Sequence, residues 1–155
     1  MKKLLVAAVA GVLLTLASCS SSSSLLGGSW TFKGTTYSAY TAIGSTTAKT
    51  LTASTVVRDS STQANNVIFR FATYPPAAGT YTIVGSASAG SLTASQVYVV
   101  QNIGLTPYTI DVSGSATCTV TLNGSKVNVT VPSVNFSTLQ SSDSGPFTAA
   151  ITQNL

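Results

Sequence analysis

The side chains that could move protons are few in this chain. It contains no histidine and no glutamate, and its carboxylates are Asp59, Asp111 and Asp143. General acid–base catalysis depends most often on histidine or on a tuned carboxyl group, and glycoside hydrolysis needs two facing carboxylates. Asp59 and Asp143 lie in serine-containing segments typical of turns and loops, and Asp111 alternates with apolar residues. The sequence therefore predicts a protein that is not an enzyme, and a hydrolase using Asp59 or Asp111 is the alternative.

The same scarcity argues against cofactors and nucleic acid. Transition metals require histidine or clustered cysteine, and calcium requires more carboxylate oxygens than any one segment here offers. Nucleic-acid binding requires clustered Lys and Arg that neutralise several phosphates, whereas these cations are scattered. We expect no metal, no cofactor and no nucleic-acid partner.

Cys19 ends a segment with the features of a signal peptide. Lys2 and Lys3 precede an apolar run over 4–16, which is shorter than the roughly 20 residues of a membrane-spanning helix. Leu16-Ala17-Ser18-Cys19 resembles the lipobox of bacterial lipoproteins. In that family a diacylglyceryl group is attached to the cysteine thiol, a peptidase cuts just before it, and the new amino terminus is usually acylated. The resemblance implies lipid attachment at Cys19 and removal of residues 1–18 as a signal peptide.

The residues after Cys19 predict a flexible tether and the membrane to which the protein is sorted. Ser20–Ser24 offer no apolar surface to bury, so residues 19–24 are expected to form a lipidated cysteine and a flexible spacer before one domain over 25–155. In the lipoprotein family an Asp directly after the cysteine favours retention at the inner membrane. Ser20 in that position implies the outer membrane, and the lack of acidic residues after it favours the periplasmic leaflet over the cell surface. The partners implied are the membrane and an envelope protein or glycan.

Short alternating runs rich in Thr, Val, Ile, Tyr and Phe, separated by Gly, Pro, Asn and Ser, predict an all-β domain. We expect roughly nine or ten strands in a single antiparallel β-sandwich. Their predicted ranges are 29–33, 35–42, 50–57, 65–73, 79–85, 94–101, 107–113, 115–122, 126–131 and 146–152.

Two hairpins are predicted within that set. Asn123-Gly124 tolerates the positive φ angles of a two-residue turn, which would place Val120 opposite Val127 and Cys118 opposite Val129 on one apolar face. The second hairpin would turn at 75–79, join 67–71 to 81–83, and leave Arg70 projecting away from the apolar side.

Cys118 is the one cysteine left if Cys19 carries lipid. Its place among inward valines predicts a small buried hydrophobe, because a reactive thiol needs a neighbouring base and the chain has no histidine.

Gly28-Ser29-Trp30 is similar to the Gly-x-Trp that opens the first strand of lipocalins. A calycin or lipocalin-like β-barrel is therefore the alternative fold, and it implies a carrier of a small apolar ligand. Trp30 and Phe32 alternate and are expected in the core, with Lys33-Gly34 beginning a turn.

Tyrosines are the remaining candidates for a binding surface, since each has an apolar ring with a polar tip suited to a sugar or peptide. They are Tyr37, Tyr40, Tyr74, Tyr98 and Tyr108. The alternative is that they are strand residues with partly buried rings.

Over the folded part, the runs 30–37, 79–83 and 115–130 resemble small Gram-negative lipoproteins of unknown function that carry one β-rich domain after a serine spacer. The resemblance implies a membrane-anchored envelope module and no catalytic residue.

Overall fold

The computed structural model of the protein describes residues 27–55, 65–110, 116–138 and 142–155. Eleven strands account for most of them, and the only helical element in these ranges is a 3-10 turn at Ser86–Ser88. The strands are β1 Gly28–Phe32, β2 Thr35–Ser38, β3 Thr41–Ser45, β4 Thr50–Ser54, β5 Asn66–Phe71, β6 Gly79–Val84, β7 Gln96–Ile103, β8 Thr106–Ile110, β9 Thr117–Asn123, β10 Lys126–Thr138 and β11 Ser144–Asn154. The predicted all-β class is confirmed.

The strands join into one continuous sheet. Its order is β2-β1-β11-β10-β9-β6-β7-β5-β4-β3, and β8 pairs with both β10 and β7. All pairs are antiparallel except β6–β7, which is parallel. The predicted single antiparallel β-sandwich is therefore one mixed sheet instead, because the parallel β6–β7 pair joins its two halves.

This order also differs from that of a lipocalin. In an up-and-down barrel, strands that are neighbours in the sequence are neighbours in the sheet. Here β6 pairs with β9 and β7, and β10 contacts β8 as well as β9 and β11. The interior is filled by aromatic side chains that are under 2% exposed, namely Trp30, Phe69, Phe71, Phe136 and Phe147.

Strand alternation builds this core. Trp30 and Phe32 point inward from β1 with 1% and 3% of their surface exposed, which confirms the prediction for both. Phe136 of β10 stacks on Phe147 of β11 with ring centroids 4.3 Å apart. Cys118 is fully buried on β9, as predicted.

The β9–β10 hairpin exists, but its predicted register is wrong by two residues. Val129 lies opposite Val120, and Val127 lies opposite Leu122. The turn is centred on Gly124-Ser125, and only Gly124 has a positive φ, of 59°. Glycine in the first central position with a positive φ is typical of a type II′ turn, whereas the prediction assumed that Asn123 would occupy that position.

The predicted hairpin between β5 and β6 does not form. β5 pairs with β4 and β7, and β6 pairs with β9 and β7, so β7 lies between them. The long-range partners satisfy the backbone groups that a local hairpin would have satisfied. Arg70 nevertheless lies exposed on the outer face of β5, as the alternation predicts.

Candidate functional site

Of the predicted surface tyrosines, Tyr108 is buried in the core and Tyr74 is half-buried against it. The Tyr74 hydroxyl donates to Gln153 Oε1, and burial raises the pKa of Tyr74 to about 12. Tyr108 is 8% exposed, its hydroxyl donates to Asp143 Oδ2 at 2.9 Å, and its ring centroid lies 4.6 Å from that of Phe32. Tyr108 thus links β8 to the start of β11, and Tyr74 links the β5–β6 loop to Gln153 of β11.

The other three tyrosines, Tyr37, Tyr40 and Tyr98, have three different environments. Tyr37 stacks on Trp30 with ring centroids 5.5 Å apart and an interplanar angle of 13°. Tyr40 is 50% exposed just before β3, and Tyr98 is half-buried on the outer face of β7. The structure therefore does not bring the five tyrosines together, and Tyr98 is the one that lies beside another candidate group, described below.

Lys33 and Asp143 form an ion pair at the start of β11. Lys33-Gly34 is the predicted turn between β1 and β2, and both residues have positive φ angles, of 51° and 78°, as a type I′ turn requires. The Lys33 ammonium lies 5.5 Å from the centroid of the Tyr108 ring, close enough for a cation–π contact. A Cβ on Gly145 would lie 2.5 Å from Lys33 Cγ, so a glycine there leaves room for the lysine stem.

This cluster holds its carboxylate ionised. Hydrogen bonds from Lys33 and then Tyr108 lower the pKa of Asp143. A carboxyl group with a lowered pKa is a poor general acid near neutral pH and a weak base. The arrangement therefore fastens the β1–β2 turn to β11. Asp59 and Asp111, the other carboxylates considered for catalysis, lie outside the described residues, as does the predicted lipid site Cys19.

Cys118 has the environment of an inert thiol. It is fully buried, and burial raises its pKa to about 12. Nucleophilic or metal-binding cysteine acts as the thiolate, which this environment disfavours.

A small cleft brings two cations together at one end of β4 and β5. Lys49 and Arg70 line it with Phe71, Ser91 and Leu92, and its volume is about 130 Å³. Pockets for drug-sized ligands run from roughly 300 to 1,000 Å³, so this cleft is sized for a single functional group.

The backbone fixes the position of both cations. Lys49 ends the β3–β4 loop with a φ of 57°, and its carbonyl accepts a 2.9 Å hydrogen bond from the Phe71 amide. The next residue, Thr50, lies opposite Arg70 on β5, and Arg70 lies opposite Tyr98 on β7. Directly opposed residues share a face of the sheet with Cβ atoms about 5 Å apart, so Tyr98 lies beside Arg70 on the outer face, outside the cleft lining.

The cleft is electrostatically uncompensated within the described part of the chain. Asp143 is the only side-chain carboxylate in those ranges, and it is paired with Lys33. The described residues also contain no group of His, Cys, Asp and Glu that could hold a metal ion. In the same ranges no helix has the length and apolar character needed to cross a membrane. The site can therefore attract an anion.

Sequence reasoning missed this cleft because Lys49 and Arg70 are 21 positions apart and look like two of several scattered cations. The alternation of β5 predicts that Arg70 points outward, but no local pattern predicts that Thr50 pairs with Arg70.

The chain matches no protein-family model, no curated protein and no solved structure.

Proposed function

We propose that this protein is a membrane-anchored bacterial lipoprotein whose β domain serves as a non-catalytic binding or structural module of the cell envelope. The observation that carries the proposal is Leu16-Ala17-Ser18-Cys19, which follows two lysines and an apolar run and precedes five serines. A lipid at Cys19 would be held by up to three acyl chains, and two already suffice for stable anchoring.

The length of the spacer supports a module that works close to the membrane. The first strand begins at Gly28, nine residues after Cys19. An extended chain spans at most about 3.5 Å per residue, so the domain would remain within roughly 30 Å of the anchoring bilayer. The proposed location is the periplasmic leaflet of the outer membrane, on the basis of Ser20 and the absence of acidic residues after it.

The non-catalytic part of the proposal is supported by the state of the groups in the described domain. Asp143 is engaged by Lys33 and Tyr108, and Cys118 is buried with a raised pKa. Lys49 and Arg70 can bind an anion, but arginine stays protonated and cannot act as a base.

The anchor is tested by expressing the wild-type chain, Cys19→Ala and the matched control Cys118→Ala in a Gram-negative host with labelled palmitate. We expect label, detergent-phase partition and a mass consistent with a lipidated chain starting at Cys19 for the wild type and the control. Cys19→Ala should carry no label. An unmodified wild-type chain that begins at Met1, or a Cys19→Ala variant that partitions with unchanged mass, would show that the proposal is wrong.

A further inference from the structure

We propose that the cleft formed by Lys49 and Arg70 is a binding site for one oxyanionic group, a phosphate or carboxylate, carried by a soluble ligand or by the end of an envelope polymer. The inference rests on the proposed function for where the ligand is met, and on the geometry of the cleft for what is bound.

The charges define the class of ligand. Both cations line one cleft, and the only side-chain carboxylate among the described residues is bound to Lys33 instead. A guanidinium presents a fork of donors that matches two oxygens of a phosphate or carboxylate, and an ammonium adds a compact point charge. Ser91 lines the same cleft and offers a hydroxyl donor.

The size and floor of the cleft limit what enters it. Its volume of about 130 Å³ suits one charged group rather than a whole sugar or lipid. Leu92 is the partly exposed apolar side chain of the lining, whereas Phe71 is buried beneath it in the core.

The two cations are held on rigid elements. Arg70 lies on β5, which is paired on both sides, by β4 and β7. The hydrogen bond from the Phe71 amide to the Lys49 carbonyl fastens the loop residue to the same strand. Because the donors start from a fixed backbone, less conformational entropy is lost when the ligand binds.

The place of the cleft favours a soluble source over the anchoring bilayer. The first described residues lie at the far end of β4: the Ala39 amide donates to the Gly28 carbonyl, and the Tyr40 amide donates to the carbonyl of Ser54. The cleft is at the Thr50 end of the same strand. At about 3.3 Å per residue these two ends are roughly 13 Å apart, so the cleft does not adjoin the place where the described chain begins.

Isothermal titration calorimetry of the full protein in non-ionic detergent tests the site with three probes: inorganic phosphate, glucose 6-phosphate and phosphatidylglycerol in the micelle. We expect saturable binding of the two soluble probes. Arg70→Gln and Lys49→Gln should each weaken binding about tenfold or more, since each loses a charge-assisted contact. The matched control is Lys126→Gln, which removes the same charge from β10, away from the cleft lining, and should leave binding unchanged.

Absence of saturable binding, or an equal loss in Lys126→Gln, would overturn the site. Binding of phosphatidylglycerol alone, abolished by Arg70→Gln, would overturn the soluble source. The two proposals fail in different measurements. If the chain carries no lipid at Cys19, its mass will show this, and the phosphate titration will be unaffected. Circular dichroism of each variant confirms that it is folded.

Discussion

Replacing Gln101 with methionine should make the protein more stable. Gln101 is fully buried on β7, and neither its amide nitrogen nor its amide oxygen has a hydrogen-bond partner among the described residues. Its neighbours across the strands, Val67 and Tyr108, are buried on the same inward face. An unsatisfied buried polar group costs about 1–3 kcal/mol, and methionine retains an unbranched side chain of similar length without the amide.

The expected gain follows from that cost. Taking about 2 kcal/mol for the removed amide and an m value of about 2 kcal/mol per molar urea, the unfolding midpoint should rise by about 1 M. Trp30 is the only tryptophan and is 1% exposed, so its fluorescence reports on unfolding of the core.

Gln153 provides the matched control. It is 9% exposed on β11, its amide oxygen accepts from the Tyr74 hydroxyl, and its amide nitrogen donates to the Asn154 carbonyl. Gln153→Met should therefore lower the stability by about 1–3 kcal/mol, the opposite sign. If Gln101→Met lowers the midpoint as well, the Gln101 amide is hydrogen-bonded in solution, for example by a buried water, and the reasoning is refuted.

Three further outcomes are expected. Phe147→Ala should cost about 3–5 kcal/mol in urea unfolding, because it opens a cavity against Phe136, and a loss below 1 kcal/mol would contradict the packing described. Cys118 should react with a thiol reagent at pH 8 only as fast as the protein unfolds, since burial raises its pKa to about 12, and rapid labelling of native protein would contradict this. Because the pKa of Asp143 is lowered in the folded state, its stabilisation is present above the unfolded value of about 3.9 and is lost as the pH falls through the folded value. Asp143→Asn should therefore flatten the acid limb of the stability–pH curve, measured by thermal unfolding between pH 2 and 6, and an unchanged limb would show that the Lys33 pair does not form.

Local patterns predicted which way side chains point better than which strands pair. In the β9–β10 hairpin the register is two residues from the prediction, yet Val120 and Val129 are on the buried face as expected. A shift of two preserves the alternation of a strand, whereas a shift of one would have turned every apolar residue outward. The hydrophobic pattern thus constrains the face, and the turn geometry decides the register.

Strand ends and long-range partners were the parts that the sequence did not reveal. The predicted range of this strand ends at residue 131, next to Pro132, a residue that cannot donate to a strand ladder. The strand continues to Thr138 through a register shift between Val131 and Val134 against β11, and a bulge of this kind accommodates a proline. Its second half then pairs with β8, which no local signal indicates.

Because the described domain has few charged side chains, the positive potential of the Lys49–Arg70 cleft is little opposed. On a surface with many ions, two neighbouring cations would be one patch among several and would be screened by nearby carboxylates. In the described part of this protein Lys33 is neutralised by Asp143, so the positive potential at the Thr50 end of β4 comes from Lys49 and Arg70 without an opposing side-chain carboxylate. The described part of the chain thus has one side-chain carboxylate, which is engaged by Lys33, and the Lys49–Arg70 cleft is where the proposed oxyanion would bind.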